Sequence, residues 1–286
     1  MKTIKTTKIK KLITKLISEA SFNLPPDILN CLLDAAEKEE NKTARKILNL
    51  IIDNSKFASS QKVPLCQDCG TVYVDFLIGS NICIEKFGEI QNVVDEAVME
   101  AYTKNYLRTS IVNDPLFERN NTFSNTPSII NFVPLSDLNC LDIKVSLKGG
   151  GSDNCSYLNM LNPSGNKDDL IKLVKELVIS NASKCCPPII IGIGIGASAS
   201  KVTELARWAA FRELYKRNSD KRYEELENKI LNEVNLTNIG PAGLGGKTTA
   251  LAVNIEYAPT HMATLPVAIF FVCHSLRRAS LKISFP

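Results

Sequence analysis

Pro188-Ile189-Ile190-Ile191-Gly192-Ile193-Gly194-Ile195-Gly196 is an apolar, β-branched run that ends in glycines. Its composition and length read as a strand. Ser198 then stands where it can cap a helix predicted to reach about residue 218. A second helix is expected over 222–234, then strands over 248–257 and 265–272. This strand-then-helix alternation sets the class of the C-terminal half.

Working back along the chain, β-branched and aromatic residues predict a strand at 71–78, with others at 129–133 and 141–147. Helical spacing predicts helices at 90–107 and 167–179. Asn and Pro clusters make 113–127 a polar loop. The first 55 residues are helical in pattern. Ile9, Leu12, Ile13 and Leu16 share one face, Pro25-Pro26 breaks the chain, and helices follow over 27–38 and 42–53. Helices first, then strands mixed with helices, give an α/β (α+β) class: a helical N-terminal part, then a mixed β-sheet region with flanking helices.

The chain has 286 residues, 44% hydrophobic and 22% charged. A chain of that length buries enough apolar surface to fold without disulfide staples. The net charge is 34 minus 30, or +4, too small for a nucleic-acid-binding signature. No apolar run approaches the roughly 18 residues of a membrane span. Nine cysteines stand against two histidines, His261 and His274. The basic start has no apolar segment behind it, so a secretory leader and a disulfide framework are not expected. The expected compartment is reducing and cytoplasmic, and any metal site must be mostly thiolate.

Several segments carry chemistry. Pro64-Leu-Cys66-Gln67-Asp68-Cys69-Gly70 holds a Cys-x-x-Cys pair, open to zinc, dithiol or packing readings. Zinc lacks a second pair at similar spacing. A thioredoxin-like pair belongs between a strand and a helix, whereas this one precedes a strand. Lys148-Gly149-Gly150-Gly151-Ser152-Asp153 is either a flexible turn or a loop whose amides bind an anion. The 192–196 glycines invite a dinucleotide reading, but the spacing is G-x-G-x-G-A. No acidic strand end follows about 20 residues on. Gly240-Pro-Ala-Gly-Leu-Gly-Gly246-Lys247-Thr248 ends like a P-loop yet has Pro241 where that pattern needs glycine. A milder glycine-rich anion loop with one lysine fits better. His261 lies in a Pro-flanked turn before the strand that ends at Cys273.

Together these segments resemble the iron–sulfur hydro-lyases: the class I fumarases and the alpha subunit of L(+)-tartrate dehydratase. The likeness runs over essentially the whole chain. It passes through Pro-x-Cys-Gln-Asp-x-Gly, Lys-Gly-Gly-Gly-Ser, Cys-Pro-Pro with its glycine-rich strand, Gly-Leu-Gly-Gly-Lys-Thr, and the His…Cys-His-x-x-Arg-Arg end. The resemblance implies one catalytic domain over 1–286, with a helical portion at 1–60 and a cluster- and substrate-binding portion at 61–286. It also implies a [4Fe-4S] cluster on three thiolates, Cys66, Cys186 and Cys273, with one iron not ligated by protein. Cys186 is preferred to Cys185 because it directly precedes Pro187-Pro188. Two departures stand out: Cys69 replaces the family's usual Thr, and Asp153 replaces its more frequent Glu.

By motif, Asp68 and His261 carry the catalytic roles. Gln67, Arg108, Gly149, Gly150 and Lys247 bind substrate, with Thr248 beside them. Arg108 matches a carboxylate clamp, for which a bidentate guanidinium suits. The implied reaction is reversible hydration of fumarate to malate. Tartrate dehydration to oxaloacetate is the alternative, and a non-catalytic cluster-binding module is the alternative of another class. Single-chain members continue into a second, swivelling domain, whereas this sequence stops at Pro286. The expectation is therefore an alpha subunit completed by a separate beta subunit, in a heterotetramer of two of each.

Overall fold

The computed structural model describes residues 2–285. In chain order the main elements are β1 (Lys2–Ile4), α1 (Thr6–Phe22), α2 (Pro26–Lys38), α3 (Lys42–Gln61), β2 (Thr71–Gly79), β3 (Ile82–Ile84), α4 (Ile90–Lys104), β4 (Ile129–Leu135) and β5 (Cys140–Lys148). Then come the short turn α5 (Gly150–Asp153), β6 (Ser156–Leu161), α6 (Lys167–Asn181), β7 (Ile189–Ala197), α7 (Ala199–Ala210), α8 (Lys221–Asn235), β8 (Ala250–Thr260), β9 (Leu265–Val272) and β10 (Arg277–Ser284). The class is α/β, as expected. No described helix is long and apolar enough to cross a membrane.

The chain divides into two compact units. The first takes the described residues up to Pro25, Ser55–Gly150, and the described residues from Arg277 onward. Its main sheet has the order β10-β5-β2-β4, with β2 and β4 parallel and the other pairs antiparallel. Strands β1 and β3 form a small parallel pair. Helix α1 lies on α4, β5 and β10. It buries Ile9, Ile13, Leu16, Ile17 and Ala20, the i, i+4, i+7 stripe of an amphipathic helix. These meet Val94, Val98 and Ala101 of α4 and Val72, Val74 and Phe76 of β2. Each fully buried Ile or Val contributes about 1.5–3 kcal/mol, so this core fixes the sheet whose ends carry the site loops.

The second unit takes Pro26–Asn54 and Gly151–Leu276. Its sheet has the order β6-β9-β7-β8, with β7 and β8 parallel and the other pairs antiparallel. Helix α7 packs on β7, and the alternate glycines explain how. A Cβ on Gly192 would lie 2.3 Å from the Ala206 carbonyl oxygen, and one on Gly194 2.2 Å from that of Val202. The glycine-rich strand is therefore a smooth face that lets the α7 backbone approach, not a phosphate cradle.

Element limits differ from expectation in places. Helix α7 is capped by the Ser198 hydroxyl, which accepts from the Lys201 amide, but it stops at Ala210 rather than near 218. Just beyond, Arg212 turns inward to Glu227 at 2.5 Å and Asn254 at 3.1 Å. That buried polar network terminates the helix. Helix α4 ends at Lys104 rather than 107, and α3 continues to Gln61. Strands β1, β3, β6 and β10 were not expected.

Candidate active site

The first unit builds its part of the site on the 62–70 loop between α3 and β2. Gly70 adopts φ +80°, and a Cβ there would lie 2.6 Å from the Lys148 carbonyl oxygen. Only glycine allows this loop to lie directly on the Lys148–Gly149 backbone. Three side chains pin it there. The Tyr102 hydroxyl donates to the carbonyls of Cys69 (3.1 Å) and Gly70 (2.9 Å). The Asn125 amide donates to the Gly70 carbonyl at 3.1 Å. The Arg277 guanidinium donates to the Asp68 carbonyl.

This packing brings together Asp68 and Gly149, which lie 81 apart in sequence. A Cβ on Gly149 would lie 2.8 Å from Asp68 Oδ2, and one on Gly150 3.9 Å from the same atom. The Asp68 carboxylate therefore sits over the glycine turn. Cys69 is buried; its thiol donates towards the Cys66 and Gln67 carbonyls at 3.8 and 3.7 Å and accepts the Arg108 amide at 3.3 Å. The unit thus assembles Cys66, Gln67, Asp68, Arg108, Gly149 and Gly150 through backbone contacts. Gln67 and Arg108 have exposed side chains and Cys66 is half-buried. Burial pushes the Cys69 thiol above its ordinary value, with the Arg108 amide and Arg277 opposing. Burial likewise raises Tyr102, so both are neutral donors at physiological pH.

The second unit holds the other two candidate ligands. Cys186 is exposed, with a left-handed φ of 51°. Its carbonyl lies 2.8 Å from His274 Nδ1 and accepts the His274 amide at 3.5 Å. Cys186 is thereby tied to Cys273-His274 at the end of β9. Burial lowers the proton affinity of His274, which suits a neutral ring donating from Nδ1. Cys185 faces the other way: it belongs to the apolar core, and its thiol donates to the Asn181 carbonyl at 3.4 Å. The adjacent thiols thus have opposite environments. The Gly240–Gly246 loop packs on the same segment, with the Ala242 amide donating to the Pro187 carbonyl at 2.8 Å.

His261 occupies the exposed turn between β8 and β9. Its Nδ1 accepts the Ala263 amide at 3.1 Å, so the proton of the neutral ring sits on the outward Nε2. Lys247 is held differently. Its amide donates to the buried Glu39 carboxylate at 2.8 Å, and its ammonium pairs with Glu40 at 2.8 Å on the surface. The described contacts of Lys247 do not include the other candidates of its unit. Asp153 is exposed. Sequence reasoning did not single out Tyr102, Asn125, Glu39 or Arg277. Only the twin arginines of the C-terminal motif gave a signal.

Among the described residues no three His, Cys, Asp or Glu side chains gather as for a single metal ion. Within each unit, the chemistry of the candidate thiols is compatible with iron–sulfur ligation. No disulfide joins any of the nine cysteines, and Cys66, Cys186 and Cys273 all reach the surface. Cys69, Cys140, Cys155 and Cys185 are sunk in the interior. Thiolate is the ligand such clusters take.

Comparison with known proteins gives the family. The family model for fumarate hydratase (Fumerase) matches residues 10–282. A Methanocaldococcus jannaschii protein, provisionally named L(+)-tartrate dehydratase subunit alpha, is 38% identical over 96% of this chain and 98% of its own. The L(+)-tartrate dehydratase subunit alpha of Escherichia coli K12 is 29% identical over 96% of this chain and 91% of its own. With its motif loops folded into the two units described and nearly its full length matched, the chain belongs to the fumarate hydratase (Fumerase) family.

Proposed function

We propose that the chain is the alpha subunit of a two-chain hydro-lyase that adds water reversibly across the double bond of a four-carbon dicarboxylate, fumarate giving malate. The observation that carries this reading is Asp68, a carboxylate seated over the Gly149–Gly150 turn in the family's own motif. A [4Fe-4S] cluster on Cys66, Cys186 and Cys273 would supply, when bound, a Lewis-acidic iron open to substrate oxygen. The rest falls to the protein.

Removing a proton from the carbon beside a carboxylate needs a positioned base and fixed positive charge for the developing anion. Asp68 is assigned the proton transfer, worth about 10²–10⁴-fold. The Gly149 and Gly150 amides donate to a substrate oxygen with no side chain of their own in the way. Arg108 holds a substrate carboxylate through a planar pair of N–H donors. His261 offers Nε2–H as the second proton-handling group. Gln67 is assigned a substrate hydrogen bond. Lys247 is the peripheral member of the set, since its ammonium is engaged by Glu40.

The relatives are named as alpha subunits, which supports a separate beta subunit, here assigned two copies with two of this chain. The same names favour tartrate as the second reading, with dehydration to oxaloacetate. The cytoplasm is the assigned location, on the strength of nine unbridged thiols. Co-expression with the beta chain, anaerobic reconstitution, and assay of fumarate, malate and both tartrate enantiomers tests the proposal. Turnover of fumarate with brown absorbance supports it. Tartrate turnover alone selects the second reading, and a colourless, inert complex overturns both.

A further inference from the structure

Arg277 opens β10, opposite Leu147 of β5. It is only 2% exposed, yet it makes no ion pair among the described residues. Its Nη1 donates to the Asp68 backbone carbonyl. Its Nη2 lies 3.4 Å from where a Gly149 Cβ would stand, and Asp68 Oδ2 lies 2.8 Å from the same point. Its Nε has no hydrogen-bond partner among the described residues. A buried guanidinium without a carboxylate is costly unless a ligand or a fixed dipole answers it. Arginine, unlike lysine, offers several donors in one rigid plane. It can therefore grip a carbonyl with one nitrogen while a second lies along the neighbouring glycine turn.

We propose that Arg277 is a positioning residue: it holds the backbone of Asp68 in register over Gly149 and places a fixed positive charge behind the turn that receives the substrate's anionic oxygens. This rests on the roles assigned above to Asp68 and Gly149. The chemistry recognised is that of a dianionic four-carbon acid, whose charge increases at the turn as the carbon-bound proton leaves. Arg277 touches neither substrate nor cluster in this role; it acts through Asp68 and Gly149.

The test compares wild type, Arg277→Lys and Arg277→Gln as reconstituted two-chain enzyme. Amide hydrogen exchange is measured on the same variants of the full chain. The Gln variant is expected to lose about 100-fold in kcat, the scale set by a small misplacement of reacting groups, with KM changed less than threefold. The Lys variant, which keeps charge but not the fork, should recover about tenfold of that loss. Exchange in the 64–70 segment should rise at least tenfold in Arg277→Gln, while 189–197 of β7 is unchanged. A kcat within twofold of wild type together with unchanged 64–70 exchange overturns the proposal. So does an equal rise in exchange along the whole chain in both variants, which marks a merely structural residue. If Arg277→Gln does not fold, Arg277→Lys decides by the same readouts. Wild type inert on every dicarboxylate defeats the hydro-lyase reading instead, and the local exchange result still decides whether Arg277 positions the loop.

Discussion

The Arg108 amide donates to the Cys69 thiol at 3.3 Å, so a sulfur three residues from a candidate cluster ligand fixes the backbone of the candidate carboxylate clamp. The same thiol donates towards the Cys66 and Gln67 carbonyls. It therefore couples the ligand loop to the start of the 105–127 connection. A threonine hydroxyl, usual in the resembled family, could fill the same role with an acceptor and a donor.

That coupling makes Cys69→Ala informative. Alanine leaves the Arg108 amide without its acceptor, a loss of about 1–3 kcal/mol when the group stays buried. We expect a lower melting temperature and a several-fold rise in KM, with Cys69→Thr close to wild type on both. Burial raises the Cys69 thiol, so less thiolate is present at neutral pH and alkylation is slow. Mass spectrometry of iodoacetamide-treated protein should find the exposed Cys83 and Cys186 modified before Cys69. Early labelling of Cys69 would contradict the packing described.

Cys185 and Cys186 separate the proposed ligand from a core thiol. Cys186→Ser in the two-chain enzyme should abolish both the anaerobic brown absorbance and turnover, because an exposed thiolate is lost. Cys185→Ser should keep both. Its cost is confined to stability, about 1 kcal/mol, since the serine hydroxyl can still donate to the Asn181 carbonyl. The reverse pattern would move the ligand to Cys185.

The fold was legible wherever periodicity was strong. The 71–79 and 189–197 strands and the α6 and α8 helices follow directly from β-branched runs and amphipathic spacing. Strand β10 was hidden because its alternation, with Leu281 and Ile283 inward and Ser280 and Lys282 outward, begins with two arginines. Those arginines read as motif rather than strand. Strand β6 was hidden because it follows a glycine-rich turn and has only six residues. Of the candidate site, the motif residues could be named from the sequence. The side chains that hold them were not: Tyr102 sits on an ordinary helix face, and Asn125 lies in a polar loop. Arg277's contact with Asp68 is made across a sequence separation of 209 residues. Local pattern carries no information about such pairings.

The glycines of β7 make a prediction that separates packing from ligand binding. Gly194→Ala places a methyl 2.2 Å from the Val202 carbonyl oxygen and 2.7 Å from the Ala206 amide nitrogen. Both are backbone atoms, which cannot swing aside, so the overpacking cost is about 1–3 kcal/mol or more. A lowered melting temperature is expected from denaturation of the full chain. Calorimetry with NAD or ATP should show no heat for wild type or variant. Nucleotide binding lost in the variant would restore the phosphate-loop reading.

Helix α8 supplies a pH dependence. Asp220 caps it, its carboxylate accepting the Arg222 amide at 2.9 Å and the Arg222 guanidinium at 2.6 Å. The Arg222 contact, aided by the amide and opposed by burial, pulls the carboxyl from 3.8 to about 2. A group whose folded value lies below its unfolded one stabilises the fold only while the carboxylate is charged. The contribution is complete above the unfolded value and is lost as pH falls through about 2. Asp220→Ala should therefore unfold at lower urea than wild type at pH 7 and pH 5. The gap between the two midpoints should shrink from about pH 4 downward. Chain purified without the proposed cluster is the sample of choice, since acid would otherwise destroy that cluster first. A gap that stays constant to pH 2.5 would show that the cap does not depend on the Asp220 charge.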